Sequence, residues 1–142
     1  MAAAPVYYTT PKVGTCRLTT GVAATDGSGA STALTWMGGG VAPASDYSLV
    51  KVIASATNNA GTANLADSLL HIFVDDATSV RLLRSYDLGD QAVGTTALSA
   101  GVWEISFPAA EFCFPSAVTL EFAISVTPTA GNVDILCLVH MA

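Results

Sequence analysis

The strongest constraint on the fold is a two-residue alternation of apolar and polar side chains near the C-terminus. In residues 118–126 an apolar side chain occupies every second position: Val118, Leu120, Phe122, Ile124 and Val126. Successive side chains of a β-strand point to opposite faces, so this pattern predicts a half-buried antiparallel strand, with Glu121 pointing away from the core. Residues 132–141 repeat it with Val133, Ile135, Cys137 and Val139. The intervening TPTAGN contains proline and glycine, which predicts a hairpin turn between these two strands.

Six further segments have strand patterns and are separated by turn-forming sequences. We predict strands at residues 15–20, 31–37, 48–56, 68–74, 80–86 and 101–107. The turn-forming sequences are TDGSG (25–29), GGG (38–40), TNNAGTAN (57–64), DDAT (75–78) and DLGDQAVG (87–94). Residues 63–70 leave a helical turn open as an alternative, with Asn64 as its cap. Eight strands at this spacing predict one antiparallel β-sandwich or barrel, and they are compatible with an eight-stranded jelly roll.

The length of the chain, 142 residues, is that of a single domain. Residues 1–13 contain two prolines around Val6, Tyr7 and Tyr8, which predicts an extended N-terminal arm. Residues 14–142 then form the β-sandwich domain.

Composition and charge exclude several classes of function. Hydrophobic residues make up 51% of the chain, charged residues make up 11%, and the net charge is −6. Five cationic side chains are too few to bind a phosphate backbone, so we expect no nucleic-acid partner. The N-terminus lacks the features of a signal peptide, and the longest apolar run near the C-terminus is too short to cross a bilayer. We therefore expect a protein made in the cytoplasm, with no membrane partner.

The three cysteines favour a structural role. Cys16, Cys113 and Cys137 lie among apolar residues and have no CxxC spacing, which indicates reduced thiols rather than disulfides or zinc ligands. Cys113 also has no histidine at a recognisable motif spacing, which argues against a catalytic nucleophile.

Few other residues could carry chemistry. His71 and His140 fall within predicted strands, where a structural role is the simpler interpretation. The Asp75–Asp76 doublet suits a tight turn better than a calcium site, which needs more oxygen ligands. The GGG sequence at 38–40 lacks the lysine and the helix of a phosphate-binding loop. The sequence therefore predicts no enzyme, no metal ion and no cofactor.

Sparse charge leaves surface available for contacts between proteins. Aromatic and methionine side chains dominate such contacts. The candidate anchors are Val6, Tyr7, Tyr8, Trp36, Met37 and Trp103. For Trp36 and Trp103, burial in the core is an equal alternative. The extended arm would suit strand addition to a neighbour, and Trp36 beside the GGG loop would suit a sugar-binding site.

Several segments, in this order along the chain, resemble small virion proteins of tailed bacteriophages. They are TPK with Val13 and Gly14 (10–14), TDGSGAST (25–32), LHIFVDDATSVRLLR (70–84) and the C-terminal segment. The resemblance spans nearly the whole chain. The chain is similar to the jelly-roll or sandwich-type head decoration proteins, also called cement proteins, of this group.

This resemblance implies a structural role without catalytic residues. A cement protein binds the outer surface of an expanded capsid and ties adjacent capsomers together, so the implied partner is the major capsid protein. The implied location is the capsid exterior of the virion, after assembly in the host cytoplasm. We expect a homo-oligomer, with a trimer favoured slightly over a dimer. The alternatives are a neck or tail protein and a carbohydrate- or receptor-binding sandwich of the virion.

Overall fold

The computed structural model describes residues 10–37, 42–57, 64–92, 102–128 and 131–142. These ranges contain ten β-strands: β1 (Thr10–Leu18), β2 (Thr32–Ala33), β3 (Thr35–Trp36), β4 (Tyr47–Thr57), β5 (Asn64–Asp75), β6 (Val80–Ala92), β7 (Val102–Ser106), β8 (Cys113–Phe114), β9 (Thr119–Ile124) and β10 (Asn132–Met141). No residue within them is helical. The described chain is therefore all-β, as the alternation of apolar side chains predicts.

The strands form two antiparallel sheets that pack face to face as a β-sandwich. The six-stranded sheet has the order β3-β1-β10-β4-β7, and β8 pairs with β4 as well. The four-stranded sheet has the order β2-β9-β5-β6. Most pairs join segments far apart in the chain. For example, β1 pairs with β10 over its whole length, from Thr10↔Met141 to Leu18↔Val133.

The inward-facing side chains of both sheets form the core. The four-stranded sheet contributes Leu70, Ile72, Leu120, Phe122 and Ile124. The six-stranded sheet contributes Leu49, Val52, Val133, Ile135, Cys137 and Val139. All of these side chains are at most 1% exposed. The prediction that the alternate apolar side chains point into the core is thus confirmed for residues 120–124 and 133–139. Val126, beyond the end of β9, is 38% exposed.

The predicted hairpin between the last two long strands is wrong. β9 lies in the four-stranded sheet between β2 and β5, and β10 lies in the six-stranded sheet between β1 and β4. The TPTAGN connection therefore crosses from one sheet to the other. Proline and glycine favour a turn of the chain, and such a turn occurs in a connection between two sheets as well as in a hairpin.

The segment predicted as one strand at residues 31–37 is divided between the two sheets. β2 pairs with β9, and β3 pairs with β1. Between them, Leu34 packs against the core, and its N–H donates to the carbonyl oxygen of Leu120 at 3.4 Å. Since β2 and β3 are edge strands, this crossing joins the two sheets along one side of the sandwich.

The turn predicted at DDAT is confirmed. Asp75 Oδ1 accepts a hydrogen bond from the N–H of Ala77 at 2.8 Å. Asp76 Oδ1 accepts from Thr78 at 2.9 Å and from Ser79 at 2.8 Å. Both aspartates thus bond the backbone of their own turn, which accounts for the doublet without a metal ion.

The hairpin on either side of this turn is longer than predicted. β5 begins at Asn64, so the helical alternative at residues 63–70 is wrong. β6 continues to Ala92, so residues 87–92 form a strand rather than a loop. The local sequence DLGDQA favours a loop, but pairing with β5, as in Ser68↔Gly89, provides backbone hydrogen-bond partners that local composition does not reveal.

A β-bulge in β6 changes which of its side chains lie on the same face of the sheet. Arg81 and Arg84, three residues apart, would face opposite sides of a regular strand. The register with β5 shifts between them and leaves Leu83 as the extra residue, so both arginines lie on the same side. The Arg84 guanidinium lies 5.3 Å from the centre of the Phe112 ring and 3.9 Å from the Glu111 carboxylate. Arg84 therefore links this edge strand to the segment before β8.

The boundary of the predicted N-terminal arm also differs. Residues 10–13 belong to β1 and pair with β10, so they are part of the six-stranded sheet. The rest of the predicted arm, residues 1–9, lies outside the described residues, and there the arm stays a prediction.

The connection between β1 and β2 runs along the four-stranded sheet. The N–H of Val22 donates to the carbonyl oxygen of Ile124 at 2.6 Å. Further on, Gly27 adopts a φ of 83° and lies against Val80, where a Cβ would be 2.2 Å from the carbonyl oxygen. Ile124 is the last residue of β9 and Val80 is the first residue of β6, on the other side of β5, so the connection passes from one of these strands to the other.

Gly21 allows the start of this connection to approach another backbone closely. A Cβ at this position would lie 2.3 Å from the amide nitrogen of Thr127 and 2.5 Å from the carbonyl carbon of Val126. The N–H of Gly21 also donates to Thr127 Oγ1 at 2.7 Å. A side chain here would separate two segments that the hydrogen bond holds together.

We expect Gly21→Ala to lower the free energy of unfolding by about 1–3 kcal/mol, the usual cost of overpacking. Urea denaturation measures the difference. Gly29→Ala is the comparison variant, because its added Cβ would overlap a side chain, at 2.1 Å from Val22 Cγ1, rather than the backbone, and rotation of the Val22 side chain can relieve that overlap. An equal loss in the two variants, or no loss for Gly21→Ala, would contradict the close backbone contact at Gly21.

Candidate interaction surface

The residues predicted as interface anchors do not lie together. Val6, Tyr7 and Tyr8 lie outside the described residues. Trp36 is 6% exposed and packs edge-on against Tyr47, with 6.2 Å between ring centres. Its side chain therefore belongs to the core and is not available as a surface anchor or as a platform for a sugar.

The other two predicted anchors differ from each other. Trp103 is half-buried and packs against the core from β7, so the core alternative describes most of its side chain. Met37 is 60% exposed, and its N–H donates to the carbonyl oxygen of Val13 at 2.9 Å. Among the described anchors, Met37 presents the most surface.

A larger apolar surface lies on the outward side of the six-stranded sheet. Four neighbouring strands, β1, β10, β4 and β7, place their outward residues in three rows. The central row is Thr15, Leu136, Ile53 and Glu104. The rows on either side are Arg17, Asp134, Ser55 and Val102, and Val13, Leu138, Lys51 and Ser106. We call these twelve residues the Leu136 face.

Apolar side chains occupy the middle of the Leu136 face. Leu136 is 39% exposed and Val102 is 63% exposed, whereas Ile53 and Leu138 are half-buried. A shallow depression of ≈ 690 Å³ opens between Leu136, Ile53 and the adjacent threonines. Exposed apolar side chains that adjoin one another are typical of surfaces that contact another protein.

Two ion pairs flank the apolar middle. On one side, Arg17 donates two hydrogen bonds to the carboxylate of Asp134, at 2.7 Å from Nε and 3.1 Å from Nη2. The Asp134 hydrogen bond raises the pKa of Arg17. On the other side, Lys51 Nζ donates to Glu104 Oε1. Exposed ion pairs add little to stability, so their main effect is on the charge of the surface.

The Leu136 face has no net charge in a chain of net charge −6. Its two cationic and two acidic side chains cancel, so the other three cationic and nine acidic residues of the sequence account for the whole excess. Contact with another acidic surface is therefore opposed less at this face than the net charge of the chain would suggest.

Sequence reasoning missed this surface, although a signal for it was present. The run from Ile135 to Val139 is apolar at every position, so both faces of that strand carry apolar side chains. The alternation identifies only the inward set, and Leu136 and Leu138 fall on the opposite face of the strand. An uninterrupted apolar run in a two-layer sandwich indicates a strand that is covered, or needs to be covered, on both sides.

The outward side of the four-stranded sheet is different, because part of it is covered although Leu69 and Leu82 remain exposed. His71, Phe73 and Ala123 face outward, yet they are only 1–2% exposed. His71 Nδ1 lies 2.7 Å from Ser85 Oγ, and burial lowers the pKa of the imidazole. The structural role predicted for His71 agrees with this position.

A carboxyl pair lies on the same side of this sheet. Glu121 points outward as predicted, and its Oε1 accepts a hydrogen bond from Ser31 Oγ at 3.0 Å. Asp75 lies nearby on the neighbouring strand β5. Burial, together with the interaction with Asp75, raises the pKa of Glu121. Glu121 therefore retains its proton to a higher pH than an isolated carboxyl group does.

The carboxyl pair makes stability depend on pH. A raised pKa in the folded state stabilises the fold below the unfolded pKa, and this contribution is lost as the pH rises through the folded pKa. We expect Glu121→Gln to be more stable than the wild type at neutral pH, because the introduced amide keeps the bond to Ser31 without a second charge beside Asp75. Urea denaturation across the acidic and neutral range should show this advantage disappearing as the pH falls.

Asp46→Asn is the control for charge alone, because Asp46 is exposed and distant in sequence from the pair. Its pH profile should follow that of the wild type. Equal stability of Glu121→Gln and the wild type at every pH would contradict the raised pKa of the carboxyl pair.

The thiols provide no reactive group in the core. Cys16, Cys113 and Cys137 are all free. Burial raises the pKa of Cys16 to about 12 and also raises the pKa of Cys137. Cys113 is exposed, contrary to the expectation of a buried thiol, and its Sγ lies 3.4 Å from the carbonyl oxygen of Ala110.

In the part of the chain that the structure describes, no three His, Cys, Asp or Glu side chains lie close enough together to hold a metal ion. The same residues contain no helix that is long and apolar enough to span a membrane.

Comparisons with known proteins add only a distant likeness. No protein-family model matches the chain, and a search of curated proteins gives no match. Among solved structures, the chain is similar to Eiger TNF from S. frugiperda, with a TM-score of 0.39 and 12% sequence identity over 94% of this chain and 92% of that chain. A likeness at this level carries no conclusion about function.

Proposed function

We propose that this protein is a non-enzymatic structural component of a tailed-bacteriophage virion that binds the outer capsid surface and stabilises it as a cement protein. The observation that carries the proposal is the Leu136 face, an exposed apolar surface without net charge on a β-sandwich, which suits a protein whose copies assemble with one another on a shell. The sequence resemblance to head decoration proteins supports the identity of the partner, the major capsid protein. The proposed location is the capsid exterior, after assembly in the host cytoplasm.

The proposed fold is a jelly roll. The strand order supports it, because β1, β10, β4 and β7 make one sheet and β2, β9, β5 and β6 make the other. Apart from the β5–β6 hairpin, successive long strands alternate between the sheets, as in two interlocked Greek keys. The short strands β3 and β8 extend the edges of this eight-stranded arrangement.

The proposed mechanism is linkage between binding and assembly. A protein that binds the assembled shell, and not its separated subunits, stabilises the shell in proportion to occupancy. If copies of the protein also associate with one another, each bound copy raises the effective concentration of the next at the neighbouring capsomer. A trimer or a dimer would both produce this effect.

Copy number tests the proposal. Quantitative mass spectrometry of purified virions of the encoding phage gives the ratio of this chain to the major capsid protein. We expect hundreds of copies per particle, as binding across a capsid lattice requires. A dozen copies or fewer would favour the neck or tail alternative and reopen receptor binding, and complete absence would overturn the virion role.

Capsid stability gives a second readout of the same proposal. Particles that lack the protein should lose their contents at a lower temperature, and adding the purified chain back should restore the wild-type temperature. An unchanged release temperature in particles that carry hundreds of copies would contradict the cement function.

A further inference from the structure

We propose that a second copy of this chain covers the Leu136 face, so that two six-stranded sheets pack face to face about a two-fold axis. This inference goes beyond capsid binding and does not depend on it, because it concerns contact between identical chains. Three observations carry it: the apolar middle of the face, its charge, and the arrangement of its ion pairs.

The apolar middle suits the packing of one sheet on another. Leu136 and Ile53 are directly opposite each other in neighbouring strands, with Leu138 and Val102 nearby in the adjacent rows. Sheets that pack face to face interdigitate such side chains at a spacing of about 10 Å. A second Leu136 face offers the same flat, regularly spaced side chains as the first.

The charge favours a copy of the same chain as the occupant. Two chains of net charge −6 repel each other over most of their surface. The Leu136 face carries no net charge, because its four charged side chains cancel. Contact through this face therefore buries no excess charge.

The ion pairs supply complementarity under a two-fold rotation. Arg17 and Asp134 lie in one flanking row, whereas Lys51 lies in the other and bonds to Glu104 at the end of the central row. The proposed two-fold axis lies between the two faces and runs parallel to the central row. Rotation about this axis places the row that contains Asp134 in each copy over the row that contains Lys51 in its partner. In particular, it places Asp134 of one copy near Lys51 of the other, as an isologous contact requires.

The size of the face suits a weak, concentration-dependent contact. Four strands about 4.8 Å apart, with three rows of outward residues that span about six residues of about 3.3 Å each, cover a projected area of roughly 400 Å². The accessible area of a pleated face exceeds its projection, and the face lies below the about 800 Å² per partner of a standard interface, in the range of transient contacts. The depression beside Leu136 would be filled by side chains of the second copy.

Sedimentation equilibrium of the purified full chain tests the proposal. We expect a concentration-dependent dimer at micromolar concentration. Leu136→Glu should raise the dimer dissociation constant by about 30-fold or more, because it places a charge at the centre of the contact. Leu69→Glu is the matched control, because Leu69 has nearly the same exposure, 38% against 39%, but lies on the four-stranded sheet. The control should dimerise as the wild type does.

A charge exchange tests the two-fold arrangement itself. Lys51→Glu and Asp134→Lys should each weaken the dimer, and the double variant should regain most of the lost affinity. Within one chain these residues are two rows and one strand apart, roughly 14 Å, so the recovery can come only from contact between copies. Circular dichroism and thermal melting confirm that each variant is folded.

Three results would overturn the inference. The first is a wild-type chain that remains monomeric across the concentration range. The second is a dimer that Leu136→Glu leaves intact or that Leu69→Glu weakens equally. The third is a double charge variant without recovery. None of these depends on capsids, so failure here is distinguishable from failure of the cement function, which the copy number in virions decides.

Discussion

Burial of one face of each sheet determines the position of almost every other feature of this protein. The inward side chains alternate along the strands, and each large apolar side chain that is fully buried contributes roughly 1.5–3 kcal/mol. Because the repeat is two residues, fixing the inward set also fixes the outward set. A slip of one residue in β10 would turn Leu136 inward and expose Ile135 and Cys137, so the core selects the register that creates the Leu136 face.

The sequence predicted the features that depend on local pattern. The inward parity of residues 120–124 and 133–139 follows from alternation, and the Asp75–Asp76 turn follows from the ability of aspartate to bond its own backbone. These features need only a few neighbouring residues. The sheet to which a strand belongs depends on partners that are distant in the sequence, and for β10 one of these partners, β1, is more than a hundred residues away.

The predictions that proved wrong also depend on strand partners that are distant in the sequence. TPTAGN connects two sheets rather than two strands of a hairpin, because its neighbours pair elsewhere. The segment DLGDQA extends a strand because β5 lies beside it. The extra residue Leu83 places Arg81 and Arg84 on the same face of the sheet, and no local sequence feature predicts such a bulge. For the surface, the prediction favoured the conspicuous Trp36, which lies in the core, over the leucines of an ordinary strand.

The two outward faces of the sandwich are used differently. The connection between β1 and β2 runs along the four-stranded sheet, where Ser31 bonds to Glu121 and the outward Phe73 is buried. The six-stranded sheet instead exposes Leu136 and Val102 between two ion pairs. A sandwich with one partly covered face and one uncharged apolar face is suited to assembly, which is the physical basis for both proposals.

The most direct test of the central claim is the solvent accessibility of individual methyl groups in solution. Paramagnetic relaxation from a soluble, uncharged probe, measured by NMR at low and high protein concentration, reports which leucines become covered. We expect the Leu136 and Leu138 methyl groups to lose relaxation as the concentration rises, while those of Leu69 and Leu82 stay unchanged. Equal accessibility of Leu136 at both concentrations, or protection of Leu69 and Leu82 instead, would contradict the assembly role of the Leu136 face.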